Sequence, residues 1–222
     1  MGKKLTEEQQ KQILEAGIEA FAEHGLHGAN MAAIARSAQI SVGVLYKYYA
    51  NKEDFFHACL HHSLSALEEV LATVTAQKTK LLHYASSIIH TLGEFCRDHP
   101  SHIRMYHQIT TVSGDQARQL AEEIEAVTAR LYTAYIARAQ AQGDLRQGMD
   151  PRLFAFFFDN LLMMLQFSGC CDYYQARMAL YQDGQPWDAS YMETELLKFL
   201  ESAFTWERTD IIHRTDSRRE LP

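Results

Sequence analysis

The stretch from Asn30 to Lys52, NMAAIARSAQISVGVLYKYYANK, decides how this chain folds. Asn30 is a strong N-cap, because its side-chain oxygen accepts from the free backbone N–H groups of a first helical turn. Met31, Ile34, Ala35 and Ala38 recur at three- and four-residue spacing and form one apolar stripe, leaving Arg36 and Ser37 to face solvent or phosphate. Gln39-Ile40 makes a turn, and Ser41 is a second N-cap, so another short helix runs from Val42 to Tyr49. Leu45 and Tyr49 stand four apart and pack inward, which leaves Val42, Gly43, Val44, Tyr46, Lys47 and Tyr48 largely exposed. Two short helices around a tight turn, the second bearing aromatic and basic residues, have the pattern of a helix-turn-helix.

A glycine inside a helix costs roughly 1 kcal/mol against alanine, so Gly43 makes most sense if a partner must approach the backbone there. A DNA major groove is such a partner. Tyrosine hydroxyls, a lysine and the amides of a helix start donate to phosphate, and valine methyls meet thymine methyls. Lys52 opens the following helix with Asn51 as its cap, where the ammonium and the free amides both favour phosphate.

From Ile13 to about Leu60 the chain resembles the tetracycline-repressor (TetR/AcrR) family of one-component transcription regulators. ILEAGIEAFAEHG is similar to its first helix, MAAIARSAQIS to the approach, VGVLYKYY to the recognition helix and NKEDFF to the start of its long connecting helix. Asn30 stands where that family usually has threonine or serine, and Tyr49 where phenylalanine is usual, so the Tyr49 hydroxyl needs a partner or a route to the surface. The resemblance implies groove contacts from Val42, Gly43, Val44 and Lys47 and phosphate contacts from Asn30, Ser41, Tyr46, Tyr48 and Lys52, on double-stranded operator DNA.

The chain has 222 residues, 47% of them apolar, enough for one or two domains with a real core. Its net charge of −7 is uneven: residues 1–52 hold six basic residues against five acidic, and the rest fifteen against twenty-three. An acidic body behind a DNA-reading head limits sequence-independent binding. The longest apolar run, about Leu153 to Phe167, is broken by Asp159, Asn160 and Gln166, and the N-terminus lacks the apolar core of a signal peptide, so a cytoplasmic chain with no membrane span is expected. Cys59, Cys96, Cys170 and Cys171 show neither zinc spacing nor a paired framework, which suits a reducing compartment.

The expected fold is all-α: a three-helix head over residues 1–52, continuing through a connecting helix to about residue 75, and a larger helical body for ligand binding and dimerisation over 53–222. Thr6 caps an opening helix to about Glu23, stopped by Gly25, with Ile13, Ala16, Gly17, Ala20 and Phe21 inward. Further helices are expected at Lys80–Asp98, Ser101–Thr111, Asp115–Gln142, Pro151–Gln182 and Ala189–Arg208.

FAFFFDNLLMMLQF, in the Pro151 helix, is apolar on every side and must be covered all round. By the family resemblance this helix and the last one are halves of a dimeric four-helix bundle, which assigns Leu162, Leu165, Leu196, Phe199, Leu200 and Ala203 to a homodimer interface; an ordinary intrachain core is the alternative. A small-molecule effector pocket is expected among Met105, Tyr106, Ile109, Tyr135, Phe157, Leu161, Met164 and Phe167, with Asp159 or Asn160 as its polar handle. Flexible methionines and aromatics suit an apolar or aromatic ligand, and the carboxylate would allow a cationic one. The plainer alternative is that these are core residues, with Asp159 paired to Arg104, Arg130 or Arg138.

His57 and His61 stand one helical turn apart, but spacing supplies no third metal ligand; His99, His102 and His107 read as caps and surface groups. No metal or cofactor is therefore expected. Redox sensing by the adjacent Cys170 and Cys171 is a minor possibility, since burial in an apolar helix makes thiols unreactive. With no G-x-S-x-G, H-E-x-x-H, P-loop or dinucleotide fingerprint, an enzyme is disfavoured. The expected function is a ligand-released DNA-binding repressor, and the alternative is a helical small-molecule carrier without sequence-specific DNA binding.

Overall fold

The computed structural model describes residues 5–75, 80–145, 148–181 and 188–205, which form ten helices and no strand. In chain order these are α1 (Glu7–Gly28), α2 (Met31–Ser37), α3 (Val42–Tyr48), α4 (Lys52–Thr75), α5 (Leu81–Asp98), α6 (Pro100–Ile109), α7 (Gly114–Ala141), α8 (Pro151–Cys170), α9 (Asp172–Ala179) and α10 (Ala189–Thr205). The expected end of α10 at Arg208, and the basic tail with Arg214, Arg218 and Arg219, lie outside the described residues.

Local chemistry sets most of the boundaries. Thr6 and Gln9 form a reciprocal capping box on α1. α1 does not stop at Gly25: that residue takes φ +66°, kinks the helix, and the chain runs on to Gly28. Pro100 ends α5 and begins α6, with His99 between them. The single helix expected over Pro151–Gln182 is two, because Cys171 is extended. The carbonyls freed at the end of α8 are taken up by side chains: Arg104 Nε donates to Cys170 O at 2.8 Å and Gln175 Nε2 to Gly169 O at 2.8 Å.

Ile13, Ile18, Phe21, Ile34, Leu45, Phe55 and Leu60 form the centre of the head, with Phe21 edge-on to Phe56. That core continues into the body through Met105 and Ile109 of α6 and Leu120 and Ile124 of α7. A second core joins α5, α7, α8 and α10 around stacked Tyr84 and Tyr135, and a third gathers Phe95, Ile103 and Phe167. α8 is long and apolar enough to cross a membrane by length and composition alone, but here it packs against α5, α6, α7 and α9 as the central helix of the body.

Candidate nucleic-acid interface and ligand cavity

Asn30 Oδ1 accepts from the N–H groups of Ala32 and Ala33 at 2.9 and 3.2 Å, fixing the start of α2. The turn to α3 passes through Gln39 in the left-handed region, φ +56°. Ser41 Oγ then accepts from Val44 N at 3.3 Å, and buried Leu45 anchors α3 to the head. Tyr49 is half-buried, its ring 4.8 Å from that of Phe55. Burial raises its hydroxyl pKa.

α3 consequently turns Val42 (39% exposed), Gly43, Tyr46 (48% exposed) and Lys47 to the outside, with Val44 half-buried. A methyl group added at Gly43 would meet nothing closer than Ser41 Oγ at 3.9 Å, so no neighbour in the chain requires glycine there.

Besides the capping Asn30 and Ser41, two more of the residues assigned to phosphate are engaged within the chain. Tyr48 is half-buried and its hydroxyl accepts from Leu5 N at 2.9 Å. Lys52 Nζ donates to the carbonyls of His27 and Ala29 at 3.0 and 3.3 Å, capping the end of α1. Sequence spacing could not show this, because the partners of Lys52 lie 25 and 23 residues away.

A cavity of about 420 Å³ lies among α6, α7 and α8. Of the residues expected to line a pocket, Ile109, Asp159 and Asn160 do so. Tyr106 stands behind its wall, donating to Glu125 Oε1 at 2.5 Å and touching Met163 Sδ at 3.6 Å, both residues of the lining. Met105, Tyr135 and Phe167 are instead buried in the three cores. Phe157, Leu161 and Met164 are displaced by one residue from the lining set: α8 turns Phe156, Asn160 and Met163 to the cavity, and one position is 100° of helix. With apolar residues on every side, α8 carried no phase signal. Glu125, Arg152 and Leu120 were also missed; Glu125 follows Glu122 and Glu123 and reads in sequence as a solvated face.

Among the described residues Asp159 is not paired with an arginine. Arg104 caps α8, Arg138 lies over the Tyr135 ring at 4.7 Å, and no ion pair among the described residues joins Arg130 to it. Burial, and then the Glu125 charge, push the Asp159 carboxyl up to about 7.

Of the three histidines near the α5–α6 junction, His99 is exposed and is the cap residue between the two helices, whereas His102 and His107 are not surface groups. His102 of α6 is buried, and its Nε2 lies 3.0 Å from Glu15 Oε2 of α1, while His62 of α4 holds the other oxygen at 3.0 Å. Burial acts to raise the Glu15 pKa, but the hydrogen bonds to His102 and His62 outweigh it and the carboxyl lies below its ordinary value. His107 packs edge-on to Phe167 and Tyr174, with its pKa lowered by burial. Among the described residues no group of three or more His, Cys, Asp or Glu could hold a metal ion.

Of the six residues assigned to a dimer interface, Leu162, Leu165 and Leu200 are buried in the core of their own chain. Leu196 is half-buried, and Phe199 (59% exposed) and Ala203 are outside. On the outer side of α8 Leu153 and Phe157 (60% exposed) are open, while Leu161 and Met164 on the same stripe are half-buried against the cores of their own chain.

A helix-turn-helix head is thus joined through α4 and α6 to a helical body that holds a cavity. Residues 13–59 match the sequence profile of bacterial regulatory proteins of the tetR family. The HTH-type transcriptional regulator HbdR of Aromatoleum sp. (strain CIB) is 26% identical over 147 residues, which span 64% of this chain and 62% of HbdR, under two thirds of that relative's length. Two solved structures share the fold: the transcriptional regulator FadR of Bacillus subtilis in complex with stearoyl-CoA (TM-score 0.70, 18% identity, covering 86% of this chain and 97% of that one), and AibR in complex with isovaleryl coenzyme A and operator DNA (TM-score 0.68, 16% identity, 86% and 97%). Residues 13–59 are thus a domain of the tetR family of bacterial regulatory proteins.

Proposed function

We propose that this protein is a cytoplasmic, dimeric transcriptional repressor that binds operator DNA through α3 and releases it when a small molecule fills the α6–α7–α8 cavity. The observation that carries the DNA reading is the outer face of α3. Val42, Gly43, Tyr46 and Lys47 are displayed together, and the glycine has no neighbour in its own chain that needs it. Close backbone approach, a cation and hydroxyl donors are what a major groove and its phosphates use.

The cavity is coupled to that face by shared residues. Ile109 and Leu120 line the cavity and also belong to the core of the head. A ligand that shifts the end of α6 or the start of α7 therefore repacks the head, while the Glu15–His62–His102 cluster ties α1 to α4 and α6. If two heads must span half-sites about one helical turn apart, roughly 34–36 Å, such repacking weakens DNA binding by linkage. The outer stripe of α8 and the exposed Phe199 of α10 supply apolar surface for a two-fold contact.

Fluorescence anisotropy on a duplex selected by the protein tests the reading. Tyr46→Ala and Lys47→Ala each weaken binding by about ten-fold, and Lys47→Ala lowers the salt slope by about one unit. Unchanged affinity and slope in both would instead favour a small-molecule carrier.

A further inference from the structure

The cavity carries chemistry that selects among ligands, an inference that rests on its being the effector site. Its lining is apolar around a few polar groups, chiefly Glu125 of α7 and Asp159 of α8. Glu125 has the Tyr106 hydroxyl as its partner, and no hydrogen bond from a described residue reaches the Asp159 carboxyl. Among the described residues Arg152 is the one cation of the lining, but its Nε and Nη2 bind the two oxygens of Asp150 at 3.3 and 3.1 Å, and its side chain is 80% exposed. Two carboxyl groups thus share an apolar cavity without a committed counter-ion. Burying a carboxylate in that state is costly, so a ligand bringing positive charge relieves the cost and one bringing a phosphate or carboxylate adds to it.

We propose that the effector is an apolar or aromatic molecule bearing a single ammonium or amidinium group, its charge met by Asp159 and Glu125 and its body by Ile109, Leu120, Phe156 and Met163. Phe156 is exposed enough to offer its ring face to the same cation. This chemistry is opposite in sign to the polyanionic head of the acyl-CoA ligands held by the two similar structures.

Calorimetric titration of the full chain with dodecyltrimethylammonium below its micelle concentration, and with lauroyl-CoA of equal chain length, tests the proposal. The cation binds more tightly than the acyl-CoA. Asp159→Asn weakens the cation by about ten-fold or more, and Ala129→Trp, which fills the cavity, abolishes it. The probe carries a permanent charge, so the pH response belongs to the protein. Affinity rises between about pH 6 and 8 as Asp159 loses its proton, and Asp159→Asn loses that rise. The other groups toward Asp159 are Glu125 and Tyr132 of α7, Tyr106 of α6 and Arg152 of α8; burial raises both tyrosine pKa values far enough to keep them protonated throughout. Thermal melts verify that each variant is folded. Failure of the cation to bind, equal affinity for both probes, or Asp159→Asn binding as the parent overturns the cation inference, while sensitivity of lauroyl-CoA to Ala129→Trp would still uphold the cavity as effector site. Binding of both probes untouched by Ala129→Trp overturns the inference and the cavity reading together.

Discussion

Gly43 separates folding from function most cleanly at the scale of one residue. Nothing in the chain crowds it, so Gly43→Ala stabilises the free protein by up to about 1 kcal/mol, read by chemical denaturation, while weakening DNA binding. A loss of stability would mean that glycine serves the fold. Gly17 is the contrasting case, since a Cβ there would come 2.5 Å from Cys59 Sγ and 2.6 Å from the Phe55 ring. Gly17→Ala is predicted to destabilise the head by about 1–3 kcal/mol, as at an overpacked core site, visible as a lowered melting temperature. Asp159 sets a pH trend of its own. Its folded pKa, up to about 7, lies above the ordinary 3.8, so the native state keeps a proton that the unfolded chain releases, and stability falls as pH rises from about 4 to 7. Melting curves of Asp159→Asn across that range should be flatter than those of the parent.

For the elements, the sequence was most informative where caps and spacing act locally. Asn30, Ser41 and Thr6 mark helix starts, and Pro100 the close of α5, by chemistry that needs no distant partner, and the boundaries fall there. α8 was legible as a buried helix but not in phase, because Phe156 and Phe157 are the same residue type and only packing tells the cavity face from the outer stripe. Long-range pairing was equally hidden. Glu15 and His102 are 87 residues apart, and neither spacing nor composition joins them. Glu15 has a folded pKa below its ordinary 4.5, so the stability it lends is present above that pH and is lost as pH falls through the lower folded value. Glu15→Gln should therefore lower the melting temperature near neutrality, with the gap to the parent closing in acid; a gap independent of pH would argue that the carboxylate charge plays no part. Lys52 likewise serves the α1–α4 joint, and Lys52→Met is expected to cost about 1 kcal/mol in the absence of DNA.

The whole molecule is organised so that a body cavity and the helix-turn-helix share one packed core. α6 is the common piece: Ile109 touches the cavity, Met105 lies in the head core, and His102 binds α1. No comparable logic lies among the described residues for Leu153 and Phe157 of α8, which are open to solvent. Phe157→Glu with Phe199→Glu should convert a dimer to a monomer in sedimentation and abolish high-affinity DNA binding without unfolding the chain; a double variant that stays dimeric would place the interface elsewhere. The most direct test of a dimeric DNA reader is selection of bound duplexes from a random pool at physiological salt. One pseudo-palindrome with half-sites about a helical turn apart is the predicted result, and no enrichment by a folded, dimeric, ligand-free protein would contradict it.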